Sequence, residues 1–489
     1  MHIQRVFAIV AIIALLPIQS KTAFAQAGVN SSRITCTNLD PSASAYIQLE
    51  YYQQGATTRT ALYADTTSLA AGSSRVYFPL SQAPTGFKGA VIAASDRKIA
   101  CTSYLTKGTN RFAESNGIET QDTSRVGSVL YATQVIKNLV SGSDTWNSAI
   151  AIHNTGWYAT DVPITFRDRN GAIGWVYTMT LSGFSSNVLE LVNHPSLPNN
   201  FLGGATLSGN NNARLTATVV FYNSNGSTQS SQFQSYNALK SGETVIRGPR
   251  FLRNYYGYNS GLALTNLGTN TANVNIDFVF GSSNTSYAQY YSVPAGNVKQ
   301  VYSPDISALS AVDYLLVGQR YGNIKITSDQ PLVASVNEDN RGYCTYPANC
   351  PAIPTYQIGQ GSTYVLMSPA TAKSGIAFPF VRRKIVPNSN PPASSTGLQS
   401  GIQVADVSGA PNSCMLKFGG SSYSESFTLS ANGSKSWFLP NITGLPDTFE
   451  GAARVECAAN VIGISNSSDR STNVSGDTAS QTDGIPYTP

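Results

Sequence analysis

Apolar and polar residues alternate with a period of two through most of this chain, the pattern of successive half-buried β-strands. The clearest stretch is 244–278, opening TVIRGPRFLRNYYGYNSGLALTN. It reads as a lead-in strand, a tyrosine-rich corner, a strand ending at Asn266, a polar turn and a second alternating strand. Degraded copies recur. One strand places Ile34 and Cys36, Ile150 and Ile152, Leu262 and Leu264, or Ile402 and Val404 on one face. Asn38, Asn154, Asn266 or Asp406 then follows, the mark of an Asx-type turn. The next strand repeats Ile47/Leu49/Tyr51, Val162/Ile164/Phe166, Val274/Ile276/Phe278 and Cys414/Leu416/Phe418, each ending on an aromatic. Another β-rich segment follows, and in three copies a loop: APTGFKG at 83–89, LPNNFLG at 197–203 and LPDTFEG at 445–451. The third copy departs here, with a longer 313–321 stretch that lacks the proline. Two closing strands complete each copy, for example 322–328 and 331–337 around Asp329-Gln330.

Ile34, Ile150, Leu262 and Ile402 stand 116, 112 and 140 residues apart, a spacing that fits sandwich-sized modules. The expectation is an all-β chain of four tandem immunoglobulin-like or fibronectin-like β-sandwiches in a rod-like array. The modules fall at 26–125, 126–241, 242–372 and 373–489, the last with a polar tail, after a leader at 1–25. Apolar, basic segments lead into three of them: VLYATQVIKN at 129–138, VIRGPRFLRNYYGY at 245–258 and AFPFVRRK at 377–384. If each is the first strand of the module after it, module one has none, because only 26–32 precede its first repeat strand. A sandwich short of a strand presents an open edge that another molecule's strand can fill. The tail at 471–489, with Val474 and Ile485 as its branched aliphatics, is a poor donor for such an edge.

The leader combines Arg5, an apolar run over 6–16 and the small-residue site Ala23-Phe24-Ala25, which reads as a secretory signal peptide cleaved before Gln26. No later segment approaches the roughly 20 apolar residues of a membrane helix, so no membrane span is expected. Cleavage removes Arg5 and Lys21 and no acid, taking the formal charge from +5 to +3. With 12% charged residues the chain is no polyelectrolyte, and nucleic acid is not an expected partner. Six cysteines in an exported chain favour disulfides within modules: Cys36 with Cys101, Cys344 with Cys350, and Cys414 with Cys457, although other pairings stay open. Zinc would want Cys and His at short paired spacings, and His153 and His194 stand far from any such pair, so no metal or other cofactor is expected.

No constellation states a reaction. The histidines sit in AIHNTG and VNHPSL without a nucleophile elbow, and the acids read as turn and edge charges, so no catalytic residue and no enzyme is expected. Glu338-Asp339-Asn340 reads as a solvated turn with calcium as the alternative. The sharper surface hypothesis is a wet, cationic strand face carrying Arg247, Arg250 and Arg253, joined by Tyr255, Tyr256, Tyr258, Arg382, Arg383 and Lys384. Such a face suits an acidic envelope polymer or a neighbouring subunit, while the tyrosines could stack on sugar rings.

The sequences PRFLRNYYGYNSGLALTNLG, LPxxFxG and SDQPLVASVNE together resemble the tandem β-sandwich repeats of secreted bacterial cell-surface proteins. The resemblance covers nearly all of 34–469 and is best in modules two and three. It implies an extracellular structural or adhesive role, with self-association into a fibre or surface layer, and transfers no active-site residue. The alternative is an array of carbohydrate-binding modules recognising envelope or extracellular polysaccharide.

Overall fold

The computed structural model describes residues 6–12, 31–80, 82–107, 111–119, 124–141, 144–223, 232–281, 284–340, 358–383, 397–469, 477 and 479–489, with the backbone alone at 6–12 and 31. Cys344, Cys350 and Lys384 lie outside the described residues. The chain is nearly all antiparallel β and divides into two compact units. The first comprises 1–168, 173–225 and 233–241, and the second 169–172, 226–232 and 242–489. Each unit contains two of the expected sandwiches.

Module two shows the plan. One layer runs Val129–Lys137, Phe201–Ser208, Thr160–Asp168, Ile173–Leu181. The other runs Leu139–Ser141, Asp144–Asn154, Leu215–Asn223, Phe233–Asn237, with Ser186–Glu190 also paired to Asp144–Asn154. The period of two does the sorting: Val162, Ile164 and Phe166 are fully buried between the layers while Asp161 faces solvent. Ala272–Phe280 and Asn412–Phe418 repeat that alternation in modules three and four.

The strands that precede the sandwich-closing turns end as the polar residues dictate. The side-chain oxygens of Asn38, Asn154, Asn266 and Asp406 each accept the backbone N–H two residues on, at 2.9, 3.0, 2.8 and 3.2 Å. The three Asn amides also donate across the turn, to Ala43 O, Tyr158 O and Asn270 O. Asp406 has no amide, and Asn412 donates to it instead, at 3.2 Å.

Two features differ from the sequence reading. In modules three and four the closing strands are continuous, Tyr321–Asn340 and Glu450–Asp469. Residues 322–328 pair with Ala272–Phe280 and residues 332–340 with Tyr258–Asn266. Asp329-Gln330 therefore marks a change of partner inside one strand, and Asp329 accepts the Asn273 N–H at 2.8 Å there. Each module also has a polar terminal strand: Arg111–Asn116, Phe233–Asn237, Gly361–Val365 or Ala479–Asp483. Within each unit these meet in pairs. Ser235 donates to Glu114 O and Asn237 to Asn116 O in the first unit; Ser362 donates to Gln481 and Asp477 accepts the Gly361 N–H in the second. The tail is thus part of module four, where Ile485–Tyr487 also pairs with Lys373–Arg382.

Cys36 and Cys101 face each other across Ser31–Asn38 and Ile99–Lys107 and are disulfide-bonded; Cys414 and Cys457 do the same across Asn412–Phe418 and Glu450–Asp469. Each bridge joins neighbouring strands of one sheet.

Candidate functional site

The lead-in strands, which carry most of the residues singled out above, belong to the modules that follow them. Val129–Lys137 pairs with Phe201–Ser208, Glu243–Leu252 with the first half of Tyr321–Asn340, and Lys373–Arg382 with the first half of Glu450–Asp469. All three carry a bulge, between Ala132 and Val135, Gly248 and Phe251, and Phe378 and Val381. Beyond the bulge an apolar residue lies opposite a glycine: Val135 opposite Gly203, Phe251 opposite Gly322, Val381 opposite Gly451. A Cβ on Gly203 would stand 1.9 Å from Arg167 O, and one on Gly322 2.0 Å from Val279 O. At Gly203, the last residue of LPNNFLG, and at Gly322 a facing backbone passes too close for a side chain, whereas at Gly451 the nearest atom is on the Phe449 ring, at 3.0 Å.

Two residues past the apolar position comes a cation, and the structure buries it. Lys137 donates to His194 O and to Leu197 O, the latter at 2.5 Å. Arg383 donates to Leu445 O and Pro440 O and pairs with Asp447 at 3.1 Å. Arg253, 3% exposed, has the fullest set. Its Nε and Nη2 grip Asp313 at 3.0 and 2.7 Å, and its Nη1 donates to Ser303 O and Ile306 O. Asn254 adds a bond to Asp313 at 2.7 Å, and Arg320, fully buried, donates to the Asp313 carbonyl at 2.7 Å. The longer stretch in module three is a run of 3-10 turns, Ser303–Asp305, Ser307–Tyr314 and Val317–Gln319, that carries Asp313 to this guanidinium.

The wet cationic face is therefore corrected. Arg247 bonds Asp406 O and Asn432 Oδ1. Arg250 holds both oxygens of Glu338, at 2.9 and 3.0 Å. Arg382 is fully buried, 3.9 Å over the Phe380 ring. Alternation misleads here because the outward side of a lead-in strand is covered by loops and by the neighbouring module of its unit. Glu338 and Asp339, expected in a solvated or calcium-binding turn, lie on Tyr321–Asn340 and are buried; burial pushes the Glu338 carboxyl up against the pull of Arg250. No cluster of metal-ligating side chains occurs among the described residues.

The tyrosine corner is tied in as well. Tyr255 pairs with Tyr258 through the backbone, packs edge-on against Tyr256 and Tyr321, and Tyr258 donates to Gln360. Tyr256, 40% exposed, is the open member. Larger aromatic exposure lies elsewhere, at Trp157 and Tyr158, 80% and 81% exposed in the turn after Asp144–Asn154. Trp157 stands edge-on to Phe184, which stacks on Tyr52. The signal in the sequence was the pair Trp-Tyr in a polar turn.

His153 is fully buried, with Nε2 3.3 Å from Phe184 O, and burial lowers its pKa to about 4. His194 packs against Trp175 and Tyr177 at 4.6 and 4.7 Å, and burial, helped by Lys137, lowers its pKa.

No protein-family model and no curated protein matches the chain. Among the solved structures with faint similarity are the following two. One, described as a structural insight into host cell surface retention of a 1.5-MDa bacterial ice-binding adhesin, is 9% identical over 74% of this chain and 98% of its own, with a TM-score of 0.11. The other, a biofilm associated protein BSP domain, is 10% identical over 94% of this chain and 90% of its own, with a TM-score of 0.15. Neither overlap is close enough to carry an argument.

Proposed function

We propose that this is an exported, non-enzymatic structural or adhesive protein of the bacterial cell surface, a building block of a fibre or layer. The observation that supports it is the triplicate joint of Lys137, Arg253 and Arg383. Enzymes hold buried charge ready for substrate; here the buried cations bond backbone carbonyls, and in two modules a carboxylate as well. The same joint closing three successive sandwiches serves rigidity and repetition, and two bridges between adjacent strands serve the same end. Negative-stain electron microscopy of the oxidised chain from Gln26 onward, across a concentration series, tests this reading. Ordered filaments or sheets are the expected result, and isolated particles at every concentration count against unaided assembly.

Trp157 and Tyr158 favour a second reading, polysaccharide binding, since open aromatic faces stack on sugar rings. Binding to immobilised polysaccharide that is lost in Trp157→Ala/Tyr158→Ala and kept in Tyr255→Ala/Tyr256→Ala would select it.

A further inference from the structure

Modules two, three and four supply their own lead-in strands in one register: an apolar residue opposite the loop glycine, then a buried cation two positions on. Module one has the receiving half of the same joint. Gly89 ends APTGFKG, and a Cβ there would stand 1.9 Å from Tyr52 O, as at Gly203 and Arg167 O. Phe87 is buried at 3%, like Phe201 at 3% and Phe449 at 7%. The Ala83 N–H bonds Leu80 O as the Leu445 N–H bonds Ile442 O. Leu80 and Ala83 thus present their carbonyls at the loop positions of His194 and Leu197, the two that Lys137 binds.

What occupies the slot is Val6–Ile12. It runs antiparallel to Gly89–Ser95 over seven pairs, from Val6 opposite Ser95 to Ile12 opposite Gly89, and pairs with Ile118–Glu119 on its other edge. Ile12 takes the register position of Val135, Phe251 and Val381. The residue two further on, where a cation stands in the other modules, is Ala14. Val6–Ile12 belongs to the leader expected to be cleaved before Gln26. The five residues from Gln26 to the start of Ser31–Asn38 are too few to replace a seven-residue strand and its connection.

We propose that module one is a strand acceptor. Val6–Ile12 fills the slot in the uncleaved chain, and after cleavage the slot takes a strand from a separate polypeptide. That strand runs antiparallel to Gly89–Ser95, is apolar opposite Gly89, and carries Lys or Arg two residues later to reach Leu80 O and Ala83 O. A second copy offers no spare strand among the described residues: its three lead-in strands complete their own modules, and its tail is built into module four. The inference rests on the exported structural role proposed above and on removal of the leader.

The test uses the full oxidised chain from Gln26 onward and two synthetic peptides with a lysine tag: residues 5–16 as they stand, and the same peptide with Ala14→Arg. Hydrogen exchange resolved at single residues reads Gly89–Ser95. Alternate amides there, those not bonded to Ile47–Gln53, are expected to exchange freely in the cleaved chain and to become protected when peptide is added. The Ala14→Arg peptide is expected to bind about tenfold more tightly, as a charge-assisted bond to two carbonyls should. If module one proves unfolded without a strand, restored protection across 31–119 on adding the Ala14→Arg peptide supports the proposal. Amides already protected in the cleaved chain overturn it, as does failure of both peptides to bind, or self-association through this edge. Equal affinity of the two peptides overturns the basic position of the donor. Ordered filaments whose Gly89–Ser95 amides are protected without peptide would leave the structural role standing and remove the acceptor alone.

Discussion

Arg253 illustrates what a single residue decides in this protein. Its guanidinium and the Asp313 carboxylate are each almost wholly removed from water, so each is tolerable only because the other is there. Arg253→Ala should destabilise the second unit by about 3–5 kcal/mol, most of it the cost of stranding Asp313, and Arg253→Met with Asp313→Leu should recover most of the loss. Denaturant unfolding of the single and double variants checks both. His153 makes a pH-dependent counterpart in the first unit. Its pKa is about 4 when folded and 6.5 when free, so between those values the unfolded chain holds the extra proton. The stability that neutral His153 permits is complete above pH 6.5 and falls by about 3 kcal/mol as pH drops to 4. His153→Gln should flatten that part of the unfolding profile; an unchanged slope would mean the histidine is not buried as described. The Asx residues were legible in the sequence because their bonds span two residues. Arg253 was legible only as a cation on a strand, because its partner lies 60 residues away in the one loop that departs from the repeat.

Elements with a one-sided burden of apolar residues were the readable ones. Val162/Ile164/Phe166 and its three counterparts announce strands because one face is dry and the other wet. The terminal strands RFAESN, FQSYN, GSTYV and ASQTD announce nothing. They mix buried Ala113, Phe233, Tyr364 and Val365 with Ser, Gln, Asn and Asp side chains that bond a neighbouring strand, so no alternation of apolar and polar residues records them. The loop glycines behave in the opposite way. They were visible as a motif, and at Gly89 and Gly203 the structure supplies the reason, a facing carbonyl 1.9 Å from where a Cβ would stand; Gly322, in the copy without the motif, meets one at 2.0 Å. Gly322→Ala should therefore displace Tyr321–Asn340 from Ala272–Phe280 and cost about 2 kcal/mol, an overpacking effect measurable as a lowered melting temperature. Gly55, with nothing within 4 Å of a Cβ but a φ of +77°, is the control for strain without crowding. The bridge between Cys36 and Cys101 closes 65 residues around a module whose lead-in strand is Val6–Ile12. Cys36→Ser/Cys101→Ser should cost about 4 kcal/mol on the chain-entropy account.

At the scale of the whole molecule, four sandwiches do not make four independent parts. The repeat spacing gives the number of sandwiches, whereas cooperativity follows from which terminal strands meet. Arg111–Asn116 meets Phe233–Asn237 within the first unit, and Gly361–Val365 meets Ala479–Asp483 within the second, through direct bonds such as Asn237 to Asn116 O and Ser362 Oγ to Gln481 Oε1. Arg247 of module three adds bonds to Asp406 and Asn432 of module four. A sandwich whose terminal strand packs on its neighbour exposes buried polar groups if it unfolds alone, and that penalty couples the pair. Calorimetry of the oxidised chain should therefore show two transitions. Arg253→Ala and Arg383→Ala, in different modules, should lower the same one, and Lys137→Ala and Cys36→Ser/Cys101→Ser should both lower the other. Four transitions that shift one at a time would mean that the terminal-strand contacts are too weak to join the sandwiches, and that the module is the unit of stability as well as of repetition.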